Sequence, residues 1–456
     1  MPDFAPFEAK MRAAGQPELA IATFRHAWEQ LVAGASGMLP EHTLAPVPEL
    51  ASLDTLAQHA ERGRGELARL VIVKLNGGLG TSMGMEQAKS LLVAKDGRRF
   101  LDLIVEQVLA LRQAHGVELP LVLMDSFRTQ ADSAAALARH ELVQALPTSF
   151  LQHQVPKVRR DFTPATHADE SLTWCPPGHG DLYIALATSG LLETLLAAGH
   201  RWAFVSNADN LGALPDLALL GWMAEYERAF IMECAERSSA DRKGGHLAHS
   251  GAGLVLRELA QCPPEDSHHF QDITRHRWFN TNNLWVDLYA LGDLLRARGG
   301  ALGLPLIKNV KPIDPTDPSS EQVIQLESAM GAAIALFGER AAAVRVGRER
   351  FVPVKTTNDL LVVRSDVYQR DGDGRVQARA DRLGNLPRVD LDPVFYKNIE
   401  DFELRFADGP PSLVKAQSLT VRGDVRFEGD VVVQGDVTLE HTAPQPKVIP
   451  RGSILR

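Results

Sequence analysis

Lysines, glycines and one aspartate define the chemistry open to this chain of 456 residues. Residues 70–89, LVIVKLNGGLGTSMGMEQAK, run from an apolar stretch into a loop holding Gly77, Gly78, Gly80 and Gly84, with Lys74 before it and Lys89 after it. Glycine has no Cβ, so its backbone N–H groups admit an anion closely, and the pattern reads as a phosphate cradle. No Gly-Lys-Ser/Thr follows, and the glycine spacing differs from G-x-G-x-x-G, so the two commonest nucleotide loops fit poorly. Asp209, just past an apolar run in VSNADN, suits a divalent cation whose other ligands are phosphate oxygens and water. Position alone would equally make it a turn aspartate. The carboxamides of FNTNNLW (279–285) donate and accept, which suits a ring of sugar hydroxyls, although such a cluster can also be a turn. Lys355 closes the apolar PV of PVKTTND, and His179 sits in the turn WCPPGHGD, where it either contacts a phosphate or base or fixes the loop. No G-x-S-x-G elbow occurs and no second histidine stands at metal-ligand spacing, so nothing proposes a covalent nucleophile.

The elements that must position these groups follow a strand, loop, helix rhythm from Leu70. Residues 100–115 carry Leu101, Ile104, Val105, Val108 and Leu111 at helical spacing and stop at Gly116. Strands are expected at 119–124 and 202–205, and helices near 129–140 and over 188–198. Residues 348–365 read as strand, turn, then strand or helix. This alternation predicts an α/β fold with a mostly parallel sheet, and ligands then bind beyond the carboxyl ends of its strands. The glycine loop and SNADN both lie at such ends. Residues 5–34 read as a helical cap whose role is packing. Near the other end, Gly-Asp-Val recurs at 423, 429 and 435, a six-residue period expected of small parallel β-helix coils, with a β-meander as the alternative.

Composition narrows the function class. The hydrophobic fraction is 45%, charged residues make up 23%, and the net charge is −9, which argues against nucleic-acid binding and requires lysines to be gathered locally around any polyphosphate. Lys74, Lys89, Lys243, Lys308, Lys311 and Lys355 lie in or beside the motif-like segments. Every long apolar run is broken by charge, the first residues lack a signal-peptide pattern, and three scattered cysteines form no disulfide framework. A cytoplasmic protein without membrane attachment is expected.

Seven segments occur in an order that resembles the eukaryotic-type UTP-glucose-1-phosphate uridylyltransferases: KLNGGLGTSMG (74–84), GHGD (178–181), SNADNLGA (206–213), RKGGHL (242–247), FNTNNLW (279–285), VIQLESAMGAAI (323–334) and PVKTTNDLL (353–361). The resemblance implies a Rossmann-like nucleotidyltransferase domain with a mixed, mostly parallel sheet at 46–385, a helical N-terminal segment at 1–45 and a small left-handed β-helix at 386–456. It implies that Leu75, Asn76, Gly77, Gly78, Gly80, Thr81, Gln152, Gly178 and Asn207 bind the nucleotide, with Gln152 reading uracil. His179, Gly245, Asn280, Asn282 and Glu327 would hold the sugar phosphate, Asp209 a Mg2+ ion, and Lys89 and Lys355 would be catalytic. The implied reaction joins UTP and glucose 1-phosphate into UDP-glucose with release of pyrophosphate.

One departure is plain. The family's Cys-Lys-Gly-Pro-Lys-Ser is here Met85-Glu86-Gln87-Ala88-Lys89-Ser90, which keeps the last lysine but puts Glu86 at a positive position. Asn309-Val310-Lys311-Pro312 likewise only approximates the family's Asn-x-Lys segment. Competing expectations are a relative acting on N-acetylhexosamine or galactose 1-phosphate, and a UDP-sugar-binding regulator without catalysis. Self-association through the C-terminal coils is also expected.

Overall fold

The computed structural model describes residues 2–238, 241–242, 244–383 and 385–456. Its main sheet contains strands β1 (Leu70–Leu75), β2 (Leu121–Asp125), β3 (Ser149–Leu151), β4 (Trp202–Asn207), β5 (Phe230–Glu236), β6 (Trp278–Asp287) and β7 (Ala341–Val346). Their spatial order is β7-β5-β6-β4-β1-β2-β3. Neighbours are parallel except β6, which runs antiparallel to both β4 and β5. Strand β1 is buried along LVIVK, as a β-branched run covered on both faces of a parallel sheet should be. Its register sets Leu75 opposite Asn207, so the glycine loop and SNADN leave the sheet side by side.

Four helices matter to the site or its support: α1 (Ala5–Ala13), α2 (Glu18–Val32), α3 (Phe100–His115) and α4 (Thr357–Arg364). Helix α3 buries the expected Leu101, Ile104, Val105 and Val108 and ends at Gly116 in the left-handed region. Phe7 from α1 and Phe24 and Trp28 from α2 pack with Phe4 onto Val155, Val158, Ile324 and Leu326. The cap is therefore packing, as expected.

The structure corrects several expected elements. The helix expected over 188–198 is two helices, Leu182–Thr188 and Leu191–Ala197, parted at Gly190 with φ +71°. The helix near 129–140 is shorter, Gln130–Leu137. Residues 348–356 form no strand: Pro353 makes one isolated bridge to Asn210, and its missing N–H prevents a longer ladder. FNTNNLW is not a turn but part of ten-residue β6, with Asn282 at φ +59° where the register against β5 slips. Asparagine tolerates that conformation better than most residues.

Beyond Arg388 every strand pair is parallel. Arg388–Leu391, Ser412–Arg422, Val432–Glu440 and Ile454–Leu455 stack in one sheet, and Val425–Phe427 pairs with Lys447–Ile449 in another. Stacked parallel passes rule out the meander. Their apolar interior, including Leu413, Leu419, Val421, Val431 and Val433, is continuous with Leu360 and Leu361 of α4 and with Met83 of the glycine loop.

Candidate active site

The glycine loop is held by its least glycine-like member. Asn76 is 3% exposed, and its carboxamide donates to Asp125 Oδ1 at 2.6 Å and to Ser133 Oγ at 2.7 Å. Its side chain anchors the loop, so its backbone is what lines the cleft. Burial pushes the Asp125 carboxyl up to about 6 despite those donors. Gln152 leaves β3 with its amide on the Asp125 carbonyl at 2.8 Å. Its side chain lies over the loop so closely that a Cβ on Gly77 would stand 2.7 Å from Gln152 Nε2. Gly78 faces open space, with nothing within 4 Å of where a Cβ would stand, as an anion cradle needs.

Lys89 returns to this loop through its amide, which donates to the Gly78 carbonyl at 3.1 Å. Its ammonium reaches across the cleft to Asp209 Oδ2 at 2.5 Å. Asp209 Oδ1 is buried without a hydrogen-bond partner. Among the described residues no three carboxylates, histidines or cysteines cluster. A divalent cation here would therefore take one protein carboxylate, fitting the orphaned oxygen, and draw its other ligands from phosphate and water.

His179 accepts a hydrogen bond at Nδ1 from the Met330 amide, 2.9 Å away, which leaves the neutral ring's proton on Nε2. Burial pushes its pKa down to about 4, so it meets the cleft as a neutral donor. The unfolded histidine titrates near 6.5, and between these values only the unfolded chain takes up the proton. Stability should therefore be intact above pH 6.5 and fall as pH drops toward 4, by about 2 kcal/mol after allowance for the ring's exposed edge. His179→Asn should flatten that slope in urea unfolding between pH 7 and 4.5. An unaltered slope would remove the histidine as its source.

Lys355 is exposed at the start of α4. Its amide and the Thr356 amide donate to Asp359 Oδ2 at 2.9 and 2.8 Å, a capping arrangement that fixes the turn. The Val354 amide points to the Asp209 carbonyl at 3.4 Å, and Ser82 Oγ donates to the Lys355 carbonyl at 3.3 Å. Lys355 is thus seated between the aspartate loop and the lip of the glycine loop. Its ammonium makes no ion pair among the described residues.

One cleft of roughly 380 Å3 is lined by Leu75, Asn76, Gly77, Gly78, Gly80, Lys89, Gln152, Gly178, His179, Asn207 and Asp209. Thr81 lies off this wall, and its neighbour Ser82 stands there instead. Gly178, at φ +81°, passes the Ser328 carbonyl so tightly that a Cβ would approach it to 2.4 Å. Of the sugar set only His179 is on this wall; Gly245, Asn280, Asn282 and Glu327 are not. The Gly245 carbonyl accepts from the Asn280 amide at 3.1 Å, and Asn280 and Asn282 exchange hydrogen bonds of 2.8 and 2.9 Å. Asn280 abuts Gly331, next to the Met330 that holds His179, while Glu327 flanks Gly178 and meets Lys311 at 3.5 Å. Lys308 and Lys311 are exposed, and Lys243 lies outside the described residues. Glu86 is exposed, whereas Met85 Sδ stands 2.6 Å from where a Gly80 Cβ would be.

Sequence reasoning missed a buried polar network behind these groups. Arg350 donates to both oxygens of Glu233 at 2.6 and 2.7 Å, and Glu233 also accepts from Asn283 Nδ2 at 3.0 Å and Trp285 Nε1 at 2.9 Å. Asn210 bonds the Arg350 carbonyl, the Asn283 side chain and the Val352 amide. Asn283 thus faces away from Asn282 and ties SNADN to the segment bearing Lys355. Lys74, counted among the phosphate lysines, is likewise buried, and desolvation drives its pKa to about 7. A lone charge inside LVIVKL or FIMECA was the available signal for such residues.

A mostly parallel α/β sheet that gathers a glycine cradle, a cation-competent aspartate and two lysines at its strand ends defines a nucleotidyltransferase class of site. Comparison with known proteins narrows the class. The family model described as UTP--glucose-1-phosphate uridylyltransferase matches residues 21–434, and the chain belongs to that family. The barley (Hordeum vulgare) UTP-glucose-1-phosphate uridylyltransferase is 40% identical over 422 residues, 92% of this chain and 85% of its own. A mutant Leishmania major UDP-glucose pyrophosphorylase, solved in complex with UDP-glucose, is similar with TM-score 0.92 and 42% identity, covering 99% of this chain and 97% of its own. A Trypanosoma brucei UDP-glucose phosphorylase structure is similar with TM-score 0.91, 42% identity and the same coverage. No helix among the described residues is long and apolar enough to cross a membrane.

Proposed function

We propose that this chain transfers the uridylyl group of UTP to glucose 1-phosphate, giving UDP-glucose and pyrophosphate by direct Mg2+-assisted displacement at the α-phosphate. The observation that carries it is the meeting of Lys89, Asp209 and the Lys355 turn at the mouth of the glycine loop. In this reading the loop amides from Gly77 to Gly80 cradle the phosphates and Gln152 reads uracil, with Leu75, Thr81, Gly178 and Asn207 shaping the nucleotide's bed. His179 donates Nε2–H toward the sugar phosphate, and Gly245, Asn280, Asn282 and Glu327 hold the glucose hydroxyls. A Mg2+ ion on Asp209 neutralises phosphate charge when bound. Lys89 and Lys355 balance the negative charge that grows as the α-phosphorus is attacked, and alignment supplies the remaining acceleration.

The proposal extends to organisation. A division at 1–45, 46–385 and 386–456 is supported by the change to parallel coils after Arg388, and self-association of those coils by the exposed Val448 and Ile454. A cytoplasmic address is supported by three free cysteines, two of them buried. Purified protein with UTP, glucose 1-phosphate and Mg2+ should release pyrophosphate. Glucose 1-phosphate should exceed galactose and N-acetylhexosamine 1-phosphates in kcat/KM by about tenfold or more. A higher value for another sugar would move the specificity, and silence with all of them would overturn the function.

A further inference from the structure

Lys74 is the one charge in β1 and is 2% exposed. Its Nζ donates to Ser206 Oγ at 2.7 Å and to the Ala213 carbonyl at 2.8 Å. These acceptors are the first and last residues of SNADNLGA, so one ammonium joins both feet of the loop that carries Asn207 and Asp209. The Phe204 ring lies 5.8 Å away. Both acceptors are neutral, so a lysine is desolvated here with no carboxylate at hydrogen-bond distance, which is unfavourable. Methionine is of similar length and would occupy the space without that cost. What the lysine adds over methionine is the pair of hydrogen bonds that ties Ser206 to Ala213, the two ends of the loop that carries Asp209.

We propose that Lys74 is a positioning residue of uridylyl transfer: its buried amino group closes the 206–213 loop through Ser206 and Ala213 and fixes where Asn207 and Asp209 stand against the α-phosphate. The inference rests on the reading of Asp209 as the cation ligand. Lys89 holds Asp209 from the cleft side and is the group the phosphates would draw away. Lys74 is held by Ser206 and Ala213 instead, so the two ends of the loop stay tied while the cleft-side neighbour of Asp209 changes.

The test compares full-length wild type, Lys74→Met, Ser206→Ala and Asp209→Asn. Lys74→Met should lower kcat by about 30-fold with the KM for UTP within about threefold, because misplacing a loop by an ångström costs turnover more than binding. Mn2+ titrated into the enzyme saturated with UDP-glucose, followed by electron spin resonance, should bind about tenfold more weakly to Lys74→Met. Ser206→Ala removes one acceptor and should move both readouts in the same direction by about threefold. A folded Lys74→Met with kcat and Mn2+ affinity within twofold of wild type overturns the proposal. If Lys74→Met does not fold, wild-type values in Ser206→Ala overturn it instead. Unchanged Mn2+ affinity in Asp209→Asn sinks the cation reading separately, and the split between kcat and KM in Lys74→Met then decides the positioning role.

Discussion

Lys355→Ala should lose about a hundredfold or more in kcat while unfolding at the same urea concentration as the wild type, because a charge aimed at a transition state contributes about 3 kcal/mol there and an exposed side chain little to folding. The separation follows from how the residue is held. Its backbone is fixed by Asp359, Ser82 and the Asp209 loop, none of which touches its ammonium. Truncation therefore removes charge and leaves the turn. The KM for UTP should change much less than kcat, since Lys89 and the loop amides remain to bind the ground state. Wild-type turnover in the folded variant would take this lysine out of the mechanism, and a lowered urea midpoint would show that it also supports the turn.

Arg350→Met is the larger perturbation of the fold. Glu233 is fully buried and would keep only Asn283 and Trp285 as donors to its carboxylate after losing two hydrogen bonds from the guanidinium, and the Leu214 carbonyl would lose a third. Stranding a buried carboxylate in this way costs about 3–5 kcal/mol. Urea unfolding at pH 7 should show the loss. The double variant Glu233→Gln/Arg350→Met should recover part of it, because a neutral carboxamide is cheaper to bury than an unpaired charge. Equal losses in the single and double variants would mean that the arginine acts through packing alone.

The parts of the fold that could be read in advance are those where periodicity and punctuation agree. Helix α3 has an apolar face and a glycine stop, and β1 and β4 are apolar runs too short for helices. The break at Gly190 was hidden because an isolated glycine inside a helical pattern can be tolerated. The extended run before Lys355 looked like a strand because valines flank Pro353, yet the proline leaves a single bridge. Within the site, residue types were legible and directions were not. Asn282 and Asn283 are adjacent, and a strand sends adjacent side chains to opposite faces, so one meets Asn280 while the other locks the network. Lys74 and Lys89 bracket the same loop, but with both faces of β1 covered no spacing rule could tell which ammonium reached the cleft.

The apolar core shared by the C-terminal coils, α4 and Met83 makes the tail a strut rather than an appendage. Its load falls on both lips of the cleft: through Leu360 and Leu361 on the helix that begins beside Lys355, and through Met83 on the glycine loop. Asn398 reinforces the second path, since its Oδ1 stands 2.9 Å from where a Cβ on Gly84 would be. A protein or second copy that grips the coils thereby has leverage on how wide the nucleotide's doorway stands, and cutting the coils away would slacken that doorway before it revealed anything about assembly.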